Sequence, residues 1–142
     1  MPQVTHILES ALYVGDLERS VTFYQRLFGW KLFLRDDRMA ALGVPGQQVL
    51  LLFHRGASTR PSPTPFGVIP PHDGRGTQHM AFAIEDAALP EWEAALAAAG
   101  IATESRLAWD SGSTALYFRD PDGHSIELAT PRLWPNYGRE AD

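Results

Sequence analysis

The 142-residue chain has no cysteine. Disulfides, thiolate nucleophiles and cysteine-bound metals are therefore excluded together, and any metal must be held by imidazole and carboxylate. That ligand set suits zinc, manganese, iron, nickel or magnesium better than copper(I). Long apolar runs are missing as well, since nowhere does the chain approach the roughly 18 to 20 uninterrupted apolar residues of a membrane span. The start, Met1 to His6, shows neither the basic cluster nor the apolar stretch of a signal peptide. The expectation is a cytoplasmic protein with no membrane partner. Positive charge is also scarce. Twelve Lys and Arg against 17 Asp and Glu leave a net charge of −5, the wrong sign for a nucleic-acid face.

What remains is ordinary globular material, 44% hydrophobic and 20% charged, of a length that suits one compact domain or two small modules. Residues 7–14 combine β-forming residues and stop at Gly15-Asp16, which predicts a strand followed by an N-cap. A helix is predicted from Leu17 to Phe28, with Val21, Tyr24, Leu27 and Phe28 on one face and Gly29 as its stop. Extended runs follow at 31–35, 39–42 and 48–54, the last two separated by Val44-Pro45-Gly46. Residues 55–77 then lose all period and carry Pro61, Pro63, Pro65, Pro70 and Pro71, so they read as a linker or a loop lying over a site.

The same order restarts at residue 78. A strand over 78–84 precedes a helix opened by Pro90, with Trp92, Leu96 and Ala99 as its apolar stripe and Gly100 as its stop. Extended runs recur at 103–109, 114–119 and 125–130, and the last two are joined by the turn Asp120-Pro121-Asp122-Gly123. The chain is thus two copies of a β-α-β-β-β unit. The expected division is a first module over 1–56, the linker or lid over 57–77, a second module over 78–132, and a C-terminal tail over 133–142.

Counting back seven residues from Asp16 gives Glu9, and counting back seven from Asp86 gives His79. Both halves place a potential metal ligand at the same point of their first strand. Strand alternation puts Glu9 on a face with Ala11 and Tyr13, and His79 on a face with Ala81 and Ala83, leaving room for an ion and a small molecule. The opposite faces, with Leu12, Val14, Met80, Phe82 and Ile84, are expected to pack on helices. Glu127 sits amid apolar residues of the closing strand, where an unpaired carboxylate is expensive to bury. A cation would relieve that cost. The matching strand of the first copy offers only leucine, Leu50 or Leu51 depending on register.

The segments Ala11 to Tyr24 (ALYVGDLERSVTFY) and Leu116 to Leu128 (LYFRDPDGHSIEL) resemble the vicinal oxygen chelate superfamily. Its members include glyoxalase I, the bleomycin resistance proteins, the fosfomycin resistance transferases and the extradiol dioxygenases. The resemblance implies an α+β fold in which paired βαβββ modules form a U-shaped mixed sheet around a metal site, commonly as a homodimer. It implies a divalent metal, with Zn, Ni, Mn and Fe all open, held by Glu9, His79 and Glu127. Two departures stand out. The first-strand ligand is Glu9 where histidine is usual, and the fourth ligand seen in glyoxalase I is leucine here.

Two carboxylates and one imidazole bring a divalent ion to about zero net charge, unlike the two-histidine, one-carboxylate sites of non-haem iron oxygenases. The expected chemistry is glyoxalase-like, a lyase or isomerase reaction on a small substrate that chelates the metal through neighbouring oxygens, with Glu9 or Glu127 moving the proton. Ring-cleaving dioxygenation and metal-free drug binding are the alternatives. Taken singly, Glu9 and Glu127 also fit solvated carboxylates, and His79 a core histidine. His6, His54 and His72 are weaker candidates, His72 needing its loop to fold over a site, and His124 is expected to face solvent from its turn. Trp30 and Trp92 read as packing residues, Tyr13 and Trp109 as pocket walls.

Overall fold

The structure, a computed structural model, describes residues 1–137. The expected tail over 133–142 therefore lies partly, at 138–142, outside the described residues. The chain divides into two compact units, Met1–Gly76 and Thr77–Asp142.

In the first unit, β1 (Glu9–Val14) leads into α1 (Leu17–Phe28). Asp16 has extended backbone, and its side chain accepts from Arg19 N at 3.1 Å, so one orphan amide of the first turn is satisfied. Gly29 ends the helix in the left-handed region at φ 70°, where a Cβ would be strained, and its N–H returns to Gln25 O. The strands β2 (Lys31–Arg35), β3 (Met39–Val44) and β4 (Gln48–His54) follow, and the sheet order is β1-β4-β3-β2. β1 runs parallel to β4 and the other pairs are antiparallel.

β4 explains itself by its lack of alternation. Leu50 and Leu52 are fully buried on the face that α1 covers with Leu17, Val21 and Tyr24. Val49, Leu51 and Phe53 point the other way, where Met39, Ala41 and Phe53 form a second apolar cluster with Ala11 and Tyr13. A strand apolar on both sides needs cover or a ligand on both sides. Trp30 stacks on Phe28 at 4.2 Å between ring centres and is buried, so it is a packing residue as expected.

The segment after β4 holds one element that periodicity did not signal, a short hairpin of β5 (Ser62–Thr64) and β6 (Gly67–Ile69). Its strands are three residues each and one contains Pro63, too little sequence for a period to register.

The second unit repeats the first. β7 (His79–Ala83) is followed by a 3₁₀ turn at Asp86–Ala88, α2 (Leu89–Ala98), β8 (Ser105–Ala108), β9 (Thr114–Arg119) and β10 (Ser125–Ala129). The order is β7-β10-β9-β8, again with the first strand parallel to the last. The fold class is α+β, with two four-stranded mixed sheets. The expected apolar stripe of α2 is thinner than its sequence suggests. Leu96 is buried and Trp92 half-buried, whereas Ala99 is exposed as the residue that caps the helix. No described helix is long and apolar enough to cross a membrane.

Candidate metal centre and groove

Strand register fixes which residues of the two units correspond. Glu9 faces Val49 across β1 and β4, and His79 faces Ser125 across β7 and β10. Glu9 and His79 are therefore equivalent, and so are Leu51 and Glu127, which resolves the choice between Leu50 and Leu51. One strand further in, Ala41 lies opposite Leu51 and Tyr117 opposite Glu127. One scaffold thus carries an apolar set in the first unit and a polar set in the second.

The polar set is compact. His79 Nδ1 lies 2.9 Å from the Ser125 carbonyl oxygen. A carbonyl only accepts, so Nδ1 carries the proton and a neutral ring presents its lone pair at Nε2. That Nε2 stands 3.4 Å from Glu127 Oε1. A lone pair facing a carboxylate is repulsive unless a positive charge, a proton or a metal ion, sits with them. The carboxylate is 5% exposed, and its second oxygen, Oε2, is buried with no hydrogen-bond partner. An imidazole held by a backbone carbonyl at one nitrogen and open at the other is the usual form of a metal-bound histidine. The donors of His79 and Glu127 therefore fit a divalent ion.

Tyr117 approaches the same carboxylate without satisfying Oε2. Its phenol is raised above the ordinary value, by burial first, then by its hydrogen bond to Glu127 and by that carboxylate's charge. The exposed alanines Ala81 and Ala83 leave the space beside His79 open. Glu9 stands in the first unit, exposed, at the first residue of β1 and on the rim of a groove.

That groove, about 790 Å³, lies on the apolar face of the first sheet. Tyr13 and Phe53 stack at 6.0 Å, which bears out Tyr13 as a pocket wall. The loop after β6 does fold over this face: His72 shares a 2.6 Å hydrogen bond with the Tyr13 hydroxyl and meets Phe53 edge-on at 4.5 Å. The Tyr13 phenol is raised too, by burial and then by the charge of Asp73. Gly74 is required beside it, because a Cβ there would run into the Tyr13 ring. Arg38 completes the wall with its guanidinium 5.9 Å from the centre of the Phe53 ring. His72 was a weaker candidate that needed its loop to fold over a site, and Arg38 carried no sequence signal. Both lie in irregular segments, where only the folded loop shows which way a side chain reaches.

His124 corrects an expectation. It is fully buried, not solvent-facing, because its Nδ1 accepts the Gln78 N–H at 2.8 Å and so ties the turn to the start of β7. Asp120, Asp122 and His124 bring three potential ligand atoms within 4.8 Å of one another. Asp120 Oδ1 already accepts the N–H groups of Asp122 and His124 at 3.0 and 2.9 Å, however. With Nδ1 of His124 accepting, the neutral ring carries its proton on Nε2, which makes it a donor. These bonds account for the cluster as a turn lock. His54 is exposed at the end of β4, and Trp109 is exposed in the second unit.

A family model described as Glyoxalase/Bleomycin resistance protein/Dioxygenase superfamily matches residues 3–128. Catechol-2,3-dioxygenase of Bacillus subtilis is 31% identical over 97% of this chain, which spans only 46% of that protein's length. Metallothiol transferase FosB of Bacillus licheniformis is 30% identical over 89% of this chain and 74% of its own. The crystal structure of lactoylglutathione lyase from Agrobacterium tumefaciens superposes with a TM-score of 0.86 at 32% identity, covering 94% of this chain and 99% of that one. Duplicated βαβββ units, a histidine–carboxylate pair on the strands where such a pair was expected, and matches over almost the full length converge: the chain belongs to the glyoxalase, bleomycin resistance protein and dioxygenase superfamily.

Proposed function

We propose that this protein is a metal-dependent enzyme with glyoxalase-like lyase or isomerase chemistry on a small molecule bearing neighbouring oxygens. The observation that carries the reading is the pair formed by His79 Nε2 and Glu127 Oε1 at 3.4 Å, with Glu127 Oε2 buried and unsatisfied. In this reading Glu9 is the third ligand, from the first module of this chain or of a second copy, and the protein works as a cytoplasmic homodimer. The modules 1–56 and 78–132 are the functional halves, and 57–77 is a lid. The metal is divalent, one of Zn, Ni, Mn or Fe.

When bound, such an ion supplies Lewis acidity to the substrate oxygens. The residues do the rest. The Ser125 carbonyl holds the His79 ring in one tautomer and one orientation. Tyr117 keeps its proton through the neutral range and steadies the Glu127 carboxylate from the neighbouring strand. Glu9 or Glu127 takes the proton from the carbon next to the substrate carbonyl and returns it to the neighbouring carbon.

The test is elemental analysis of protein purified without chelators, followed by an assay of the isomerisation of an aryl α-oxoaldehyde hemithioacetal, such as that formed from phenylglyoxal and a thiol. About one equivalent of divalent metal, and turnover abolished in Glu127→Gln, supports the proposal. Metal-free protein, or a Glu127→Gln variant as active as the parent, ends it. A second reading, ring-cleaving dioxygenation, draws on the likeness to the Bacillus subtilis protein. Oxygen uptake with a catechol and ferrous iron would replace the first reading with the second.

A further inference from the structure

We infer that the groove of the first module binds the non-reacting end of the substrate, and that this end is a flat aromatic ring carrying a carboxylate, with Arg38 as its anion clamp. The inference deepens the proposed function and rests on it only for what happens at the substrate's other end.

Four observations meet here. The walls are rings: Tyr13 stacked with Phe53, and His72 edge-on to Phe53. Slots lined by aromatic faces and edges favour a planar ligand over a branched aliphatic one. The floor is low, because Ala11 and Ala41 stand where larger residues would fill the space, and a volume of about 790 Å³ admits a bicyclic ring system. Third, Arg38 is the cationic side chain of the lining, and among the described residues it takes part in no ion pair. Oδ1 of the Asp36 carboxylate beside it accepts the backbone N–H groups of Arg38 and Met39, at 2.8 and 2.9 Å. A guanidinium laid near a ring and left without an acid partner is prepared for a carboxylate, which it grips through two parallel bonds. Fourth, the equivalent positions of the second module are small or polar: Ala83 for Tyr13, Ala129 for Phe53, Glu127 for Leu51. The groove is a feature of one half, not a by-product of the fold.

The direction of the ligand follows from the register. Arg38 precedes Met39, which lies opposite Phe53, which in turn lies opposite Tyr13. Glu9 is four residues up β1 from Tyr13, roughly 13 Å away at about 3.3 Å per residue. The carboxylate therefore sits at the Arg38 end, and the reacting oxygens point towards Glu9.

The probe is 2-naphthoate, titrated into the full chain by calorimetry, with 2-naphthylmethanol as the uncharged ring and octanoate as the ring-free acid. The expected result is saturable one-to-one binding of 2-naphthoate, at least tenfold tighter than either control. Arg38→Gln should weaken 2-naphthoate at least tenfold and leave 2-naphthylmethanol within twofold. Arg38→Lys, which keeps the charge but loses the fork, should fall between, and unchanged circular dichroism in both variants shows that the fold is intact. Equal affinity for naphthoate and naphthylmethanol, indifference to Arg38→Gln, or no saturable binding would overturn the inference. Metal content measured on the same preparations keeps this outcome separate from that of the proposed function.

Discussion

His79 and Glu127 meet at 3.4 Å as two groups that repel each other unless a cation or a proton lies with them, and the Ser125 carbonyl prevents the ring from turning its protonated nitrogen to the acid. His79→Ala should therefore lower the metal content of purified protein at least tenfold. His79→Gln should do nearly as badly, because an amide oxygen is a poor substitute for imidazole towards zinc, nickel or iron. Mass spectrometry of the metals decides it, and full occupancy in His79→Ala would remove this pair from the site.

Leu51 shows what the scaffold does with the same position when no ion is wanted. Glu127→Leu copies that choice. In the presence of chelator it should raise unfolding stability by about 1–3 kcal/mol, since a buried carboxylate with an unsatisfied oxygen is replaced by an apolar side chain. Without chelator it should abolish metal binding. Urea titrations under both conditions test the pair of statements, and a variant less stable than its parent in chelator would show that the carboxylate is satisfied after all.

The pH dependence should be visible on the alkaline side. Folding lifts the Tyr117 phenol above its ordinary 10.0, so the native chain keeps a proton that the unfolded chain gives up. Its contribution is complete below pH 10.0 and is lost as pH rises through the folded-state value. Tyr117→Phe should flatten part of that fall. Tyr13 and Tyr137, raised as well, keep the remainder. Urea midpoints between about pH 8 and about pH 12, about two units either side of the ordinary phenol value, would show it, and identical alkaline limbs would refute it.

Two glycines without positive φ offer a steric contrast. Gly74→Ala drives a Cβ into the Tyr13 ring, which is held by Phe53 and His72. It should cost about 1–3 kcal/mol and weaken the groove. Gly43→Ala meets the far end of the Phe33 ring, which is exposed and able to swing away, so its cost should stay below about 1 kcal/mol. Reversal of that order in urea unfolding would place the Tyr13 ring elsewhere.

At the start of α1, Asp16→Ala removes the acceptor of the Arg19 N–H and should destabilise by about 0.5–2 kcal/mol, whereas Asp16→Asn should cost only a few tenths. Equal losses in the two variants would mean that the cap bond is not what matters there.

The helix between Asp16 and Gly29 was legible because both its ends are written in single residues, an acceptor at one and a left-handed backbone at the other. The equivalence of Glu9 and His79 was legible because two copies share one spacing. The hairpin at residues 62–69 was not, as strands of three residues, one of them interrupted by Pro63, are too short to show a period. Nor was the burial of His124, whose place depends on a backbone amide 46 residues away. Arg38 was invisible for a similar reason, and His72 was visible only as a candidate that needed its loop to fold over a site. A side chain on a loop acquires its neighbours from the path of the loop, and local pattern says nothing about that path.

Every ladder of the first sheet closes within residues 9 to 54, and every ladder of the second within 79 to 129. Among the described residues, neither half takes a strand from the other into its sheet. During synthesis, the first half can therefore complete its four-stranded ladder while the second is still being translated.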